Sequence, residues 1–249
     1  MTTYTLPTTS VTPTTLKDTE NMQKFMKHYF YNLNKLIIFD MDNTIINSNE
    51  TIYKSTQHAL QQLGYTENIS LQDFELHAGH DFIDIFKELG ISIPDMTEFY
   101  KIYRKKYFEI IKDTSTLFPE TLEILNIIKN TPNYFIALFT TKSQESAEQV
   151  LQIFDIAKYF DIAIGSSDVF KPKPDPEVIL HLIKGFDVAP ENTIMVGDSI
   201  NDIKCGKSAE VYSVYVNRSS TAHDINKINN ISALADKTID NLLQLKDIL

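Results

Sequence analysis

The apolar positions of this chain fall into short unbroken runs separated by stretches of helical period. Leu36-Ile-Ile-Phe39 is the first such run, and it stops at Asp40. Runs of this length fill strands that are buried on both faces of a parallel sheet. Similar runs recur at Tyr134 to Phe139, Ile162 to Ile164, Thr193 to Val196 and Val211 to Val216, with helical patterns between them at Glu120 to Lys129, Ser143 to Phe154, Pro176 to Phe186 and Ile200 to Ser208. Strand and helix in alternation predict right-handed βαβ units and a doubly wound, Rossmann-like α/β sheet core.

One interval breaks this alternation. From Ser48 to about Ser115 the pattern is helical throughout: Ser48 can cap a helix that stops at Gly64, Ser70 starts another, Asp81 to Leu89 ends at Gly90, and Asp95 to Ile111 is long. The expected organisation is therefore an α/β core over 35–47 and 116–249 with a helical cap subdomain inserted over 48–115. Phe99, Ile102, Tyr103, Tyr107 and Ile110 recur at helical spacing and read as a packing stripe. Residues 1–34 open on a Thr-rich, Pro-punctuated stretch without periodicity before Met22, which predicts an N-terminal extension that is flexible at its start.

Composition narrows the function without naming it. A chain of 249 residues with 43% hydrophobic and 22% charged residues can bury its own core. The lone Cys205 excludes an internal disulfide framework and reads as a small buried filler. No run reaches the ~20 apolar residues of a membrane span, and the N-terminus lacks the pattern of a signal peptide, so a cytoplasmic protein without a membrane partner is expected. A net charge of -10 argues against nucleic acid, whose phosphates need clustered Lys and Arg. Nothing in the sequence distinguishes a monomer from a homodimer.

In open α/β sheets ligands sit beyond the carboxyl ends of the strands, so the residues after each apolar run are the candidates for chemistry. Four strand ends carry reactive groups: Asp40-Met-Asp-Asn-Thr44, Phe139-Thr140-Thr141, Lys171-Pro-Lys-Pro-Asp-Pro176 and Gly197-Asp-Ser-Ile-Asn-Asp202. Taken singly, each has an ordinary reading as a cap, turn or strand terminus. Together they meet the demands of phosphoryl transfer, which needs a nucleophile, charge neutralisation and a proton for the leaving group. Asp40 can attack as a carboxylate nucleophile, and Asp40 and Asp198 can offer oxygen ligands to Mg²⁺. The Thr140 hydroxyl can orient a phosphoryl oxygen, and the metal, Lys171 and the loop amides can supply the positive charge that an acidic protein lacks.

These four motifs, in this order, resemble those of the haloacid dehalogenase superfamily, specifically its phosphoglycolate phosphatase-like members with a helical cap after the first strand. The first motif matches Phe39-Asp-Met-Asp-Asn-Thr-Ile-Ile46, the second Thr140, the third Lys171 rather than Lys173, and the fourth Gly197 to Asp202. The resemblance spans about 35–217 and implies a Mg²⁺-dependent phosphoric monoester hydrolase working through an aspartyl-phosphate. It implies that Asp40 is nucleophile and metal ligand, and that Asp42 is the acid/base with its backbone carbonyl on the metal. Asp198 would be the remaining metal carboxylate, and Asp202 a supporting acid. Thr140 with Thr141 beside it, and Lys171, would hold the phosphoryl group, while Gly79 and His80 in the cap could read the rest of a small phosphorylated metabolite such as phosphoglycolate or a sugar phosphate.

Asn43, Asn47, Thr141 and Glu120 depart from the family's commonest residues at those positions. An acid at Asp42 sets the pattern apart from dehalogenases and phosphonate hydrolases. The alternatives are a sugar-phosphate mutase using the same carboxylates and, from another class, a phosphate-binding or scaffold protein without turnover.

Overall fold

The computed structural model describes residues 34–65, 69–71, 82–166, 170–218 and 225–249. Residues 1–33 of the N-terminal extension and the cap candidates Gly79 and His80 lie outside the described residues. Each apolar run forms a strand: β1 (Lys35–Phe39), β4 (Tyr134–Ser143), β5 (Ile162–Ser166), β6 (Thr193–Gly197) and β7 (Tyr212–Val216). A further strand, β8 (Lys237–Ile239), completes a six-stranded parallel sheet in the order β5-β4-β1-β6-β7-β8. The fold is the doubly wound α/β sheet that the alternation predicted.

Burial on both faces explains why the runs are unbroken. Along β1, Ile37 and Phe39 point into one apolar cluster with α4 (Thr121–Lys129) and α5 (Gln144–Ile153), while Leu36 and Ile38 point into the other with α6 (Glu177–Phe186) and Cys205 of α7 (Ile200–Ser208). Cys205 is the buried filler expected of it; burial pushes its thiol up to about 12, and its S–H donates to the Asp175 carbonyl at 3.1 Å. The last helix, α8 (Ile225–Leu234), brings Ile231 against Ile203 and Tyr215.

The sheet is built outward from β1, first through β4 and β5 on one side and then through β6, β7 and β8 on the other. Reversal of direction at a central strand opens a crevice at its carboxyl end, because the two flanking connections leave on opposite faces. Asp40 sits at that point, with its N–H donating to the Val196 carbonyl of β6 at 2.9 Å.

Two short strands, β2 (Ile46–Asn47) and β3 (Thr116–Leu117), pair antiparallel where the chain leaves and re-enters the core. Between them lie α1 (Asn49–Gln62), α2 (Phe82–Glu88) and α3 (Met96–Thr114). The stop signals act as expected, since Gly64 and Gly90 take φ of 84° and 70° beyond the ends of α1 and α2. Asp95 caps α3 by accepting the N–H groups of Thr97 and Glu98 at 2.9 and 3.1 Å. Ser48 precedes α1 but makes no side-chain cap, because its hydroxyl is committed elsewhere. Phe82, Phe86, Phe99 and Tyr103 pack edge-on and stacked with centroids 4.9 to 5.9 Å apart, which joins α2 to α3. Among the described residues no helix is long and apolar enough to cross a membrane.

Candidate active site

The loop after β1 turns back on itself at once. Ile45 and Ile46 both donate backbone N–H groups to the Met41 carbonyl at 3.1 Å, and Asn43 donates to Ile46 at 2.7 Å. Asn43 takes φ of 54°, in the left-handed region that Asn tolerates, and its side-chain amide donates to Asn49 at 2.6 Å. From beneath, Thr121 Oγ1 donates to the Ile45 carbonyl at 2.8 Å and Arg218 donates to the Thr44 carbonyl at 2.8 Å. Arg218 also pairs with buried Glu120 at 2.7 Å and lies 3.6 Å over the Phe118 ring. Burial would raise the Glu120 carboxyl, but the hydrogen bond and charge of Arg218, together with backbone N–H groups including that of Leu242, outweigh it and hold the group below its ordinary range. Glu120 therefore departs from the family's commonest residue in favour of a buried ion pair.

This anchoring presents Asp40 and Asp42 on one cavity of about 320 Å³ with different partners. Asp40 receives the Lys173 ammonium on Oδ1 at 2.6 Å, and the Thr44 hydroxyl stands 3.4 Å from both Asp40 Oδ2 and Asp198 Oδ1. Asp42 accepts from Ser48 Oγ at 2.6 Å and pairs with Lys142 at 3.1 Å. Lys173 also donates to Asp202 at 2.5 Å and to the Phe139 carbonyl at 3.1 Å. The second Asp202 oxygen accepts from the Ser199 N–H and hydroxyl at 3.0 and 2.6 Å, closing a capping box at the start of α7. Gly197 is required here, because a Cβ would overlap the Asp202 carboxylate.

Burial pushes the Asp40 carboxyl up to about 7 against the pull of Lys173, and repulsion from Asp202 and Asp42 adds to it. Burial alone would lower Lys173, but the two facing carboxylates overcome it and keep the ammonium charged. Lys142 is likewise raised, its desolvation outweighed chiefly by Asp42.

One expectation does not hold. Lys171 is not the lysine at the carboxylates: its side chain is 71% exposed, pairs with Asp175 at 3.4 Å and does not line the cavity, whereas the Lys173 side chain is 2% exposed, lines the cavity and reaches Asp40 and Asp202. The Lys-Pro-Lys-Pro repeat offers two registers two residues apart. A turn closed by the Asp175 N–H on the Pro172 carbonyl at 3.0 Å delivers the second lysine inward, with its ammonium 5.1 Å from the Phe139 ring.

The other named residues converge unevenly. Asp40, Asp198 and Asp202 each offer an oxygen within 4.8 Å of the others, the set among the described residues that could hold a cation. The Asp42 carboxylate stands apart from them, on Ser48 and Lys142. Thr141 lines the cavity, while Thr140 is 1% exposed and accepts the Lys142 N–H at 3.3 Å. The sequence reading misses the parts that Lys142 and Arg218 play at the site, and it marks Ser48 only as a helix cap. For Lys142 a signal existed, since it lies two residues beyond Thr140 at the same strand end.

The acidic floor suits a divalent cation on the chemistry of its donors. With both Asp202 oxygens engaged by Lys173 and Ser199, the carboxylates that converge through Thr44 are Asp40 and Asp198. All are oxygen donors, the kind that hard cations such as Mg²⁺ take.

A family model described as haloacid dehalogenase-like hydrolase matches residues 37–216. Pyrophosphatase PpaX of Bacillus mycoides is 30% identical over 182 residues, 72% of this chain and 82% of that protein. A Clostridium perfringens protein of the same name is 32% identical over 175 residues, 70% of this chain and 80% of that one. Among solved structures, a haloacid dehalogenase-like hydrolase of Bacteroides fragilis superposes with a TM-score of 0.74 at 29% identity, covering 85% of this chain and 99% of its own. A Haemophilus somnus protein described as a phosphoglycolate phosphatase has a TM-score of 0.73 at 23% identity, covering 86% and 97%, a likeness of fold. With its motif residues gathered at the switch point and its matched region spanning most of its length, the chain belongs to the haloacid dehalogenase-like hydrolase family.

Proposed function

We propose that this phosphatase hydrolyses a small phosphate monoester through an aspartyl-phosphate on Asp40, with Mg²⁺ as its metal. The observation that carries the reading is the division of labour between two neighbouring carboxylates. Asp40 is fixed by Lys173 and faces Asp198, while Asp42 opens on the same cavity and is held off Asp40 by Ser48 and Lys142.

In the first half-reaction an Asp40 oxygen forms a bond to phosphorus, the bond to the ester oxygen breaks, and the leaving alkoxide takes a proton from Asp42. In the second, a water oxygen attacks phosphorus, Asp42 takes the water's proton, and the aspartyl–phosphorus bond breaks to return the Asp40 carboxylate. Lys173 holds Asp40 in place and faces the phosphoryl oxygens, the part expected of Lys171, and the threonines Thr140 and Thr141 supply hydroxyl donors. Mg²⁺, held by Asp40, Asp198 and the Asp42 backbone carbonyl, would neutralise charge on the phosphoryl oxygens. The helical part over 48–115 acts as the cap, closing the site and meeting the leaving group.

The relatives' name adds pyrophosphate to the candidate substrates. The test is phosphate release from an aryl phosphate with and without Mg²⁺, on the parent chain and on Asp40→Asn. Metal-dependent turnover that the variant loses by 10²-fold or more is expected, the scale of effect at a nucleophile. Undiminished rates in excess EDTA would overturn the metal, and an active variant the nucleophile.

A further inference from the structure

The wall that faces the carboxylate floor is built of rings. Phe82 of α2 and Tyr100, Tyr103, Tyr107 and Phe108 of α3 all line the cavity, and Arg104 is the one cation on the helical side among its described lining residues. Phe82 meets Tyr103 edge-on at 4.9 Å and Tyr100 at 6.0 Å, so the wall is a continuous aromatic surface. Tyr107 is 2% exposed, yet its hydroxyl is buried with no hydrogen-bond partner. Lys142 covers its ring, with the ammonium 4.2 Å from the centroid. Buried hydroxyls are costly when unpaired, and Tyr107 is one of the residues that border the cavity, so its hydroxyl points to a partner that arrives with a ligand.

We infer that the leaving group is an alcohol bearing a planar aromatic ring, with a hydrogen-bonding substituent for Tyr107, rather than a small acid, a bare sugar or a second phosphate. The inference deepens the proposed phosphatase reading and rests on it. A phosphoryl group on the floor places the ester's organic part toward the helical wall. A ring there meets other rings edge-on or offset, the geometries that aromatic pairs favour. A sugar would bring several hydroxyls to a surface whose one unpaired buried polar group, among the described lining residues, is the Tyr107 hydroxyl. A second anion would have to be desolvated against rings whose nearby cations are Lys142, already paired with Asp42, and Arg104, itself exposed and 5.8 Å from the Tyr100 ring. The cavity, about 320 Å³, lies at the low end of the ~300–1,000 Å³ that suits drug-sized ligands and is more than a two-carbon acid would fill.

The test compares kcat/KM for benzyl phosphate, phosphoglycolate and pyrophosphate. The first two leave as primary alkoxides, so the comparison reads recognition more than intrinsic reactivity. Benzyl phosphate is expected to lead both by at least tenfold. Tyr100→Leu and, separately, Phe108→Leu should cut that lead at least threefold, mainly through KM. Tyr107→Phe should lower kcat/KM for 3-hydroxybenzyl phosphate and leave benzyl phosphate the less affected of the two. A lead below tenfold, or preference for phosphoglycolate or pyrophosphate that Arg104→Ala abolishes, would overturn the ring assignment while leaving the phosphatase in place. Failure to release phosphate from any of these esters and from an aryl phosphate would overturn the phosphatase reading itself, and this inference with it.

Discussion

The carboxyl ends of β1, β4 and β6 and the helical wall above them handle polar groups in opposite ways. On the sheet side nearly every polar atom has a named partner: Lys173 serves two carboxylates and a carbonyl, Asp202 uses both oxygens, and Asp42 uses both of its own. At the helical wall of the cavity Phe82 and Phe99 each meet Tyr103 ring to ring, and the buried Tyr107 hydroxyl is left without a partner. The contrast separates two tasks. On the proposed reading, fixed charges on rigid strand ends set which bond is broken, for any substrate, and an apolar wall with an open hydrogen-bonding position sets which leaving group fits. Changes to the floor should therefore lower turnover for every ester alike, and changes to the wall should reorder the esters.

The largest effect is expected at Lys173. Lys173→Met removes the cation between two carboxylates that are, like it, almost wholly buried. Breaking such a pair from one side costs about 3–5 kcal/mol, so the urea midpoint should fall steeply and activity on all esters should vanish. An unshifted midpoint would mean that the floor is not held by this charge.

Asp40→Asn should abolish turnover, and the stability of the variant relative to the metal-free parent should improve as pH rises. The folded chain keeps the Asp40 proton up to about 7, whereas an ordinary aspartate releases it near 3.8. Between those values the folded state binds a proton that the unfolded state has lost, so this group's contribution falls as pH rises through the window. Asparagine does not titrate. The difference in Tm between variant and parent should therefore widen from pH 4 to pH 8 and narrow when Mg²⁺ is added. A difference that is flat with pH would show an Asp40 already ionised throughout.

Glu120→Gln should cost about 1–3 kcal/mol, the range for a buried partner left imperfectly satisfied, because the amide keeps the shape but not the charge facing Arg218. Its signature would be a lower kcat on all esters with their ranking intact. The smallest effect is expected at Lys171→Met, within about 0.5 kcal/mol of the parent and with unchanged kinetics, since an exposed pair contributes little. A large kinetic loss there would reverse the assignment of the two lysines.

The strands were legible because runs buried on both faces leave an unambiguous pattern, and Asp40 and Asp198 stood out as the residues directly beyond two of them, with Asp202 following in the same motif at the third position of α7. The lysine was not, since a Lys-Pro-Lys-Pro repeat has no local feature that says which ammonium turns inward; the turn from Pro172 to Asp175 decides it. Tyr103 and Tyr107 read correctly as packing residues beside Phe99, but spacing cannot tell that the same rings also border a cavity. Ser48 stands at the cap position of α1 as its sequence context predicts, but its hydroxyl, with two possible partners, bonds a carboxylate across the loop instead of the helix end. Glu120 stood out as a departure whose partner lies 98 positions away, beyond any local pattern.

The tie from Arg218 to the Thr44 carbonyl closes a separation of 174 residues. A chain emerging in order makes the loop that carries Asp40 before most of the sheet exists, and this anchor arrives only once the segment after β7 has been laid down. Contacts of such long range form late, because closing a long loop must precede any gain from the contact. The reactive loop is thus among the earliest parts of the core to be written and among the last to be set, so a fragment that ends before β7 would carry the Asp40 motif and the helical insert without this hold on the loop's geometry.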